Sequence, residues 1–216
     1  MLTTLQQNLA ILLAQPLSLF TLLAVLLLTL LGLYLRHLRF TTRMLVYIAL
    51  MLALTILLHQ LSIYRMPQGG SITFGAMLPL LLIAYRYGSG IGALIGFLYG
   101  MINLLQNPYI LHPLQVLFDY PLPYMVLGLA ALFEQHRYIS TALAFAARFA
   151  CHFISGVVFF GSYAPAGTPV WLYSLTFNAT YLIPEFLICF LLLRFLPITR
   201  LVHAMDANAL PHHLYR

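Results

Sequence analysis

Apolar runs close to 20 residues long recur along this chain, separated by short stretches that hold arginine, proline and glycine. That length matches the ~20 residues an α-helix needs to cross the hydrocarbon core of a bilayer. The runs are too long, and alternate too little, for the strands of a membrane barrel. Over the 216 residues, 62% are hydrophobic and 6% charged, and the mean hydropathy is +0.95. A water-soluble domain of this size does not reach such values. The fold class is therefore all-α, a polytopic helix bundle in the lipid bilayer.

Seven segments can be read. The first, from about Pro16 to Leu35, is Leu-rich and featureless, and reads as a lipid-facing anchor. No basic residue precedes its apolar run and no small-residue cleavage site follows, which argues against a removable signal peptide. Six core segments follow, beginning near Met44, Ile72, Gly88, Leu114, Ser140 and Leu172. The chain thus divides into an extra N-terminal transmembrane helix with a basic linker (residues 1–40), a six-helix membrane domain (41–200) and a polar tail (201–216). The second core segment, Ile72 to Tyr85, is short and contains Pro79, which predicts a kinked or partly re-entrant helix. In the third, Gly92, Gly96 and Gly100 recur at four-residue intervals and predict a groove for a closely packed neighbour.

All ten basic residues are arginines, set against four acidic residues. Arg36, Arg39, Arg43, Arg86, Arg137, Arg194, Arg200 and Arg216 fall on one side of the predicted spans, and Arg65 on the other. The positive-inside rule makes the first side cytoplasmic, with the N-terminus outside and the C-terminus inside. No basic tract with interleaved aromatics exists, so the pI of about 9.5 does not indicate nucleic acid. Cys151 and Cys189 lie in apolar segments without metal-ligand spacing and read as buried bystanders, and His212 and His213 as part of a solvated tail.

The chemistry concentrates in Arg148 to Glu185. On a helix, Arg148, His152, Gly156 and Phe160 recur every fourth residue and share one face. Beyond a turn-rich connector come Trp171, Tyr173, Asn178, Tyr181 and Glu185. Ionisable groups in lipid are costly and usually face a cavity or one another. Asp119, followed at once by Pro121 and Pro123, belongs to the same logic, because broken backbone at membrane depth needs a polar surrounding. In the orientation above, Asp119, His152, Tyr173 and Asn178 converge on the outer half of the bilayer. An outward-facing pocket with a carboxylate, an imidazole, a carboxamide and several rings suits a flat, nitrogen-rich cation. Arg148 and Glu185 lie deeper and read as a buried ion pair supporting two helices, with direct ligand contact as the alternative.

Longer motifs sharpen this reading. MPQGGS (residues 66–71), HPLQVLFDYPLPY (112–124) and RFACHFISGVVFFGSYAPAGTPVWLYSLTFNATYLIP (148–184) resemble the thiamine-specific substrate-binding component of the energy-coupling-factor vitamin transporters. The resemblance runs from about Thr42 to Pro197. It implies a six-helix protein that captures thiamine and passes it to a membrane coupling subunit and two ATPases. The ligand is thiamine, and no cofactor is implied. By the same resemblance Asp119 and Tyr120 contact the ligand, and His152 and Asn178 hydrogen-bond its aminopyrimidine. Gly156 leaves room for the ring, Tyr173 and Tyr109 add contacts, and Phe160 stands where some relatives stack a tryptophan. Ala49 and Ala53 match the small-residue patch that docks on the coupling subunit.

A thiamine precursor such as hydroxymethylpyrimidine, or another vitamin, remains an alternative ligand. An intramembrane enzyme using His152 with Asp119, Ser155 or Ser174 is disfavoured, because GxSxG, HExxH and HxxxH are missing. With no P-loop either, ATP hydrolysis would come from partners.

Overall fold

The computed structural model describes residues 40–133 and 135–205. The predicted first span and most of the polar tail lie outside the described residues. Five helical stretches are long and apolar enough to cross a membrane. These are α1 (Thr42–Gln60), α2 (Leu78–Gln106), a broken helix over Pro113–Ala131, α5 (Arg137–Phe159) and α6 (Val170–Phe195). The broken helix consists of α3 (Pro113–Asp119), α4 (Pro121–Met125) and a 3-10 turn at Val126–Ala131. A two-stranded hairpin, β1 (Tyr64–Arg65) with β2 (Ser71–Ile72), follows α1, and a short α7 (Ile198–Ala204) follows α6.

Five stretches nevertheless contain the six expected core segments, because α2 is two helices. Gly88 interrupts it with φ 86° and ψ 169°, a conformation open to glycine and strained for other residues. The chain reverses there. A Cβ placed on Gly92 would lie 2.7 Å from the Cβ of Ala84, whereas eight residues of continuous helix would separate them by about 12 Å. The second core segment is thus the ten-residue arm before Gly88, about 15 Å of helix against a ~30 Å hydrocarbon core. Pro79 causes no kink in it. It sits in the first helical turn, where its missing amide would have no helical partner anyway.

Irregular backbone at Thr73–Met77 completes that segment, and all of it but Phe74 is buried. Glu185 of α6 satisfies it. The Thr73 amide donates to Glu185 Oε2 and the Thr73 hydroxyl to Oε1, both at 2.6 Å, while the Ala76 amide donates to Thr73 Oγ1 at 2.8 Å. The expected Arg148–Glu185 ion pair does not form. Two donors from the re-entrant turn reach the carboxylate instead, and these leave its charge compensated without a cation.

The glycine stripe of α2 does receive a close neighbour, and that neighbour is the broken helix. A Cβ on Gly96 would strike the Tyr124 carbonyl, and one on Gly100 would lie 2.5 Å from the Tyr120 carbonyl. The backbone of the Asp119–Met125 turn can therefore rest on α2, which positions Asp119. Replacing Glu185 with Ala should lower stability by about 2 kcal/mol or more, since two buried donors lose their acceptor. Thermal unfolding in detergent should show a much smaller effect for Leu191→Ala, whose side chain is exposed.

Candidate ligand-binding site

One end of the bundle encloses a cavity of about 290 Å³. Its walls come from the hairpin after α1, the outer turn of α2 with the loop to α3, the break at Tyr120, and the facing ends of α5 and α6. All eight residues expected at the ligand line it: Tyr109, Asp119, Tyr120, His152, Gly156, Phe160, Tyr173 and Asn178. Helical spacing explains the contribution of α5, because Arg148, His152 and Gly156 are all on its buried face and Phe160 is its C-cap.

Asp119 is held from two sides. Its Oδ1 lies 3.3 Å from His152 Nδ1, and Gln115 Nε2, one helical turn back, donates to Oδ2 at 2.6 Å. A carboxylate can only accept, so the proton of the neutral imidazole sits on Nδ1. His152 Nε2 is left as a buried acceptor with no hydrogen-bond partner among the described residues. Gln115 also donates to the Tyr109 carbonyl at 3.1 Å and accepts from the Leu111 amide at 3.0 Å. It therefore ties the loop after α2 to the carboxylate. Sequence reading missed Gln115, although its position four residues before Asp119 on a helix was the available signal.

Aromatic residues form the rim. Tyr120 Oη accepts from the Tyr109 amide at 2.7 Å and donates to the Asn107 carbonyl at 2.8 Å. Tyr109 stacks on Phe160 with centroids 5.8 Å apart, and its hydroxyl lies 2.6 Å from that of Tyr163. That shared hydrogen bond raises the Tyr109 pKa to about 12, so the phenol stays protonated at neutral pH. Tyr173 lines the wall beside Phe177, whereas Trp171 is 54% exposed and lines none of it.

Two of the cavity residues also hold the helices together. Asn178 is largely engaged by protein: its amide donates to the Ser174 carbonyl at 2.9 Å and reaches the His152 carbonyl at 3.3 Å, and its Oδ1 accepts from Tyr181 at 2.8 Å. It therefore also ties α6 to α5. A Cβ on Gly156 would collide with Ser174 Oγ and come within 3.3 Å of Asn178 Nδ2. The missing side chain thus serves the approach of α6; the space for a ligand ring that the resemblance implies is a separate role.

Arg148 belongs to the cavity as well. It is 5% exposed and its guanidinium carbon lies 4.7 Å from the centre of the Tyr124 ring. Tyr124 in turn accepts from Asn103 at 3.0 Å, and His59 bonds Ser71 at 2.9 Å, so the floor carries polar residues that the sequence did not single out. Ala49 and Ala53 lie elsewhere, exposed on α1.

Comparison with known proteins places this geometry. The sequence model of a family described as Thiamine transporter protein matches residues 45–204. The chain belongs to the thiamine transporter protein family. One member, Thiamine transporter ThiT of Bacillus subtilis (strain 168), is 38% identical over 172 residues, 69% of this chain and 87% of that protein. Thiamine transporter ThiT of Lacticaseibacillus paracasei is 34% identical over 122 residues, 47% of this chain and 61% of that one. A solved structure of ThiT from Listeria monocytogenes superimposes with a TM-score of 0.64 over 73% of this chain and 93% of that one. At 22% identity that likeness establishes the shared fold. The family is one of transporters, so the cavity belongs to a multi-pass membrane transport protein and not to an enzyme.

A Gly156→Val substitution should destabilise the bundle by about 1–3 kcal/mol through overpacking against α6. Adding Ser174→Ala should restore part of that loss, and urea or thermal unfolding of both variants in detergent would measure it.

Proposed function

We propose that this chain captures thiamine from outside the cell, as the substrate-binding component of an energy-coupling-factor transporter. The observation that carries the reading is the gathering of eight residues from four separate stretches around one cavity, in a member of a thiamine transporter family. Thiamine joins an aminopyrimidine to a cationic thiazolium ring. The aromatic rim of Tyr109, Phe160 and Tyr173 offers faces for stacking and cation–π contact, worth about 0.5–2 kcal/mol each. Asp119 supplies the negative charge, and His152 Nε2 an acceptor for an amino group.

The arginine distribution supports an outward-facing cavity. Arg65 is on the cavity side, Arg86, Arg137 and Arg194 lie toward the opposite ends of their helices, and Arg200 follows in the short α7. The C-terminus would then be cytoplasmic and the N-terminus external. Ala49 and Ala53, exposed on the least buried of the spans, support docking of a membrane coupling subunit there, with two ATPases supplying the energy.

Isothermal titration calorimetry of the purified protein should give one thiamine per chain. Asp119→Asn should weaken binding by about 10- to 100-fold, the scale of a lost charge-assisted hydrogen bond. Unchanged affinity in that variant, or tighter binding of bare hydroxymethylpyrimidine than of thiamine, would overturn the assignment.

A further inference from the structure

Three arginines share a second hollow, at the end of the bundle away from the cavity. Arg137 opens α5, Arg194 is in the last turn of α6 and Arg200 belongs to α7, and all three line a groove of about 580 Å³ together with Tyr138, Pro197 and Thr199. Like charges brought together cost energy unless an anion lies among them. Among the described residues none of the three meets a carboxylate, and the hydrogen bonding they make is a single bond from Arg137 Nη1 to Thr199 Oγ1 at 3.3 Å. Glu134 and Asp206, the two acidic residues of the sequence that lie outside the described residues, are outnumbered by the three cations.

The groove is also held in shape. Ile198 and Val202 of α7 are buried, and the Ala204 carbonyl accepts from the Tyr47 hydroxyl of α1 at 2.8 Å, so Arg200 is presented by an anchored helix. What flanks the groove identifies its occupant. Leu187 and Leu191 precede Arg194 by about two turns and one on the same side of α6, Ile139 follows Tyr138 on α5, and each is more than half exposed. Such faces on membrane-spanning helices meet acyl chains, while arginine and tyrosine at helix ends sit at the level of the headgroups. Guanidinium groups pair with phosphate oxygens through a bidentate fork.

We propose that this groove seats the phosphate of an anionic phospholipid, from the leaflet at that end of the bundle, with its chains along the exposed apolar sides of α5 and α6. Soluble phosphate shares the headgroup chemistry but has nothing to lay against Leu187, Leu191 and Ile139. A zwitterionic headgroup brings its own cation toward the arginines. The proposal goes beyond thiamine capture, and it needs neither that ligand nor an assignment of sides.

Native mass spectrometry of the detergent-purified full chain, titrated with phosphatidylglycerol or phosphatidylcholine of equal chain length, tests it. One phosphatidylglycerol should bind about 10-fold more tightly than phosphatidylcholine. Arg194→Gln and Arg200→Gln should each weaken phosphatidylglycerol about 5-fold, the scale of one basic residue at an anionic surface, and leave phosphatidylcholine unchanged. Arg194→Lys should keep most of the preference. So should Arg43→Gln, which removes a charge from the same end of the bundle but not from the groove. Equal wild-type affinity for the two lipids would overturn the proposal, and that comparison does not depend on any variant folding. Equal losses in Arg43→Gln and in the groove variants would overturn it too, as the mark of diffuse surface charge. Displacement of phosphatidylglycerol by sodium phosphate at the same concentration would assign the groove to free phosphate and sink the lipid.

Discussion

A carboxylate set among apolar helices is tolerable only where donors meet it, and this bundle is arranged around two such meetings. Glu185 receives the amide and the hydroxyl of Thr73, which lets irregular backbone follow the hairpin into the bundle. Asp119 receives Gln115 and His152, which fixes an imidazole at the wall of the cavity. The Glu185–Thr73 and Asp119–His152 contacts join segments far apart in the chain. Together they hold open a polar hollow that helix packing by itself would tend to close.

Close backbone approach makes the second meeting possible. The proline-interrupted turn at Tyr120 to Met125 cannot form a continuous helical ladder, and it needs a smooth surface to rest on. Gly96 and Gly100 provide that surface. Asp119 is therefore displayed at the end of one helical turn, with the next turn already redirected, and its side chain faces α5. On the other side, Gly156 lets Ser174 and Asn178 come close enough to bond the α5 backbone. Small residues here decide where the polar ones end up.

Arginine acts in two ways. Outside the apolar runs it marks sides: Arg86, Arg137 and Arg194 stand near helix ends away from the cavity, and Arg200 in the short α7 lines none of it. Inside, the single described exception is Arg148, whose charge no carboxylate within reach offsets. It lines the same cavity as Asp119, so the wall carries a buried cation and an anion together.

Much of this was legible from local pattern alone. Run length and hydropathy determine that the chain crosses a membrane as helices, and four-residue spacing determines that Arg148, His152 and Gly156 share a face, because both are properties of neighbouring residues. The glycine stripe likewise announced a tight contact. Only the tertiary structure decided which partner each polar group took. Glu185 bonds Thr73 across 112 positions and not Arg148, and Gly156 makes room for Ser174 before it makes room for any ligand. The physical reason is that a hydrogen bond is settled within about an ångström by where two distant segments come to rest, and no periodicity in the chain encodes that distance.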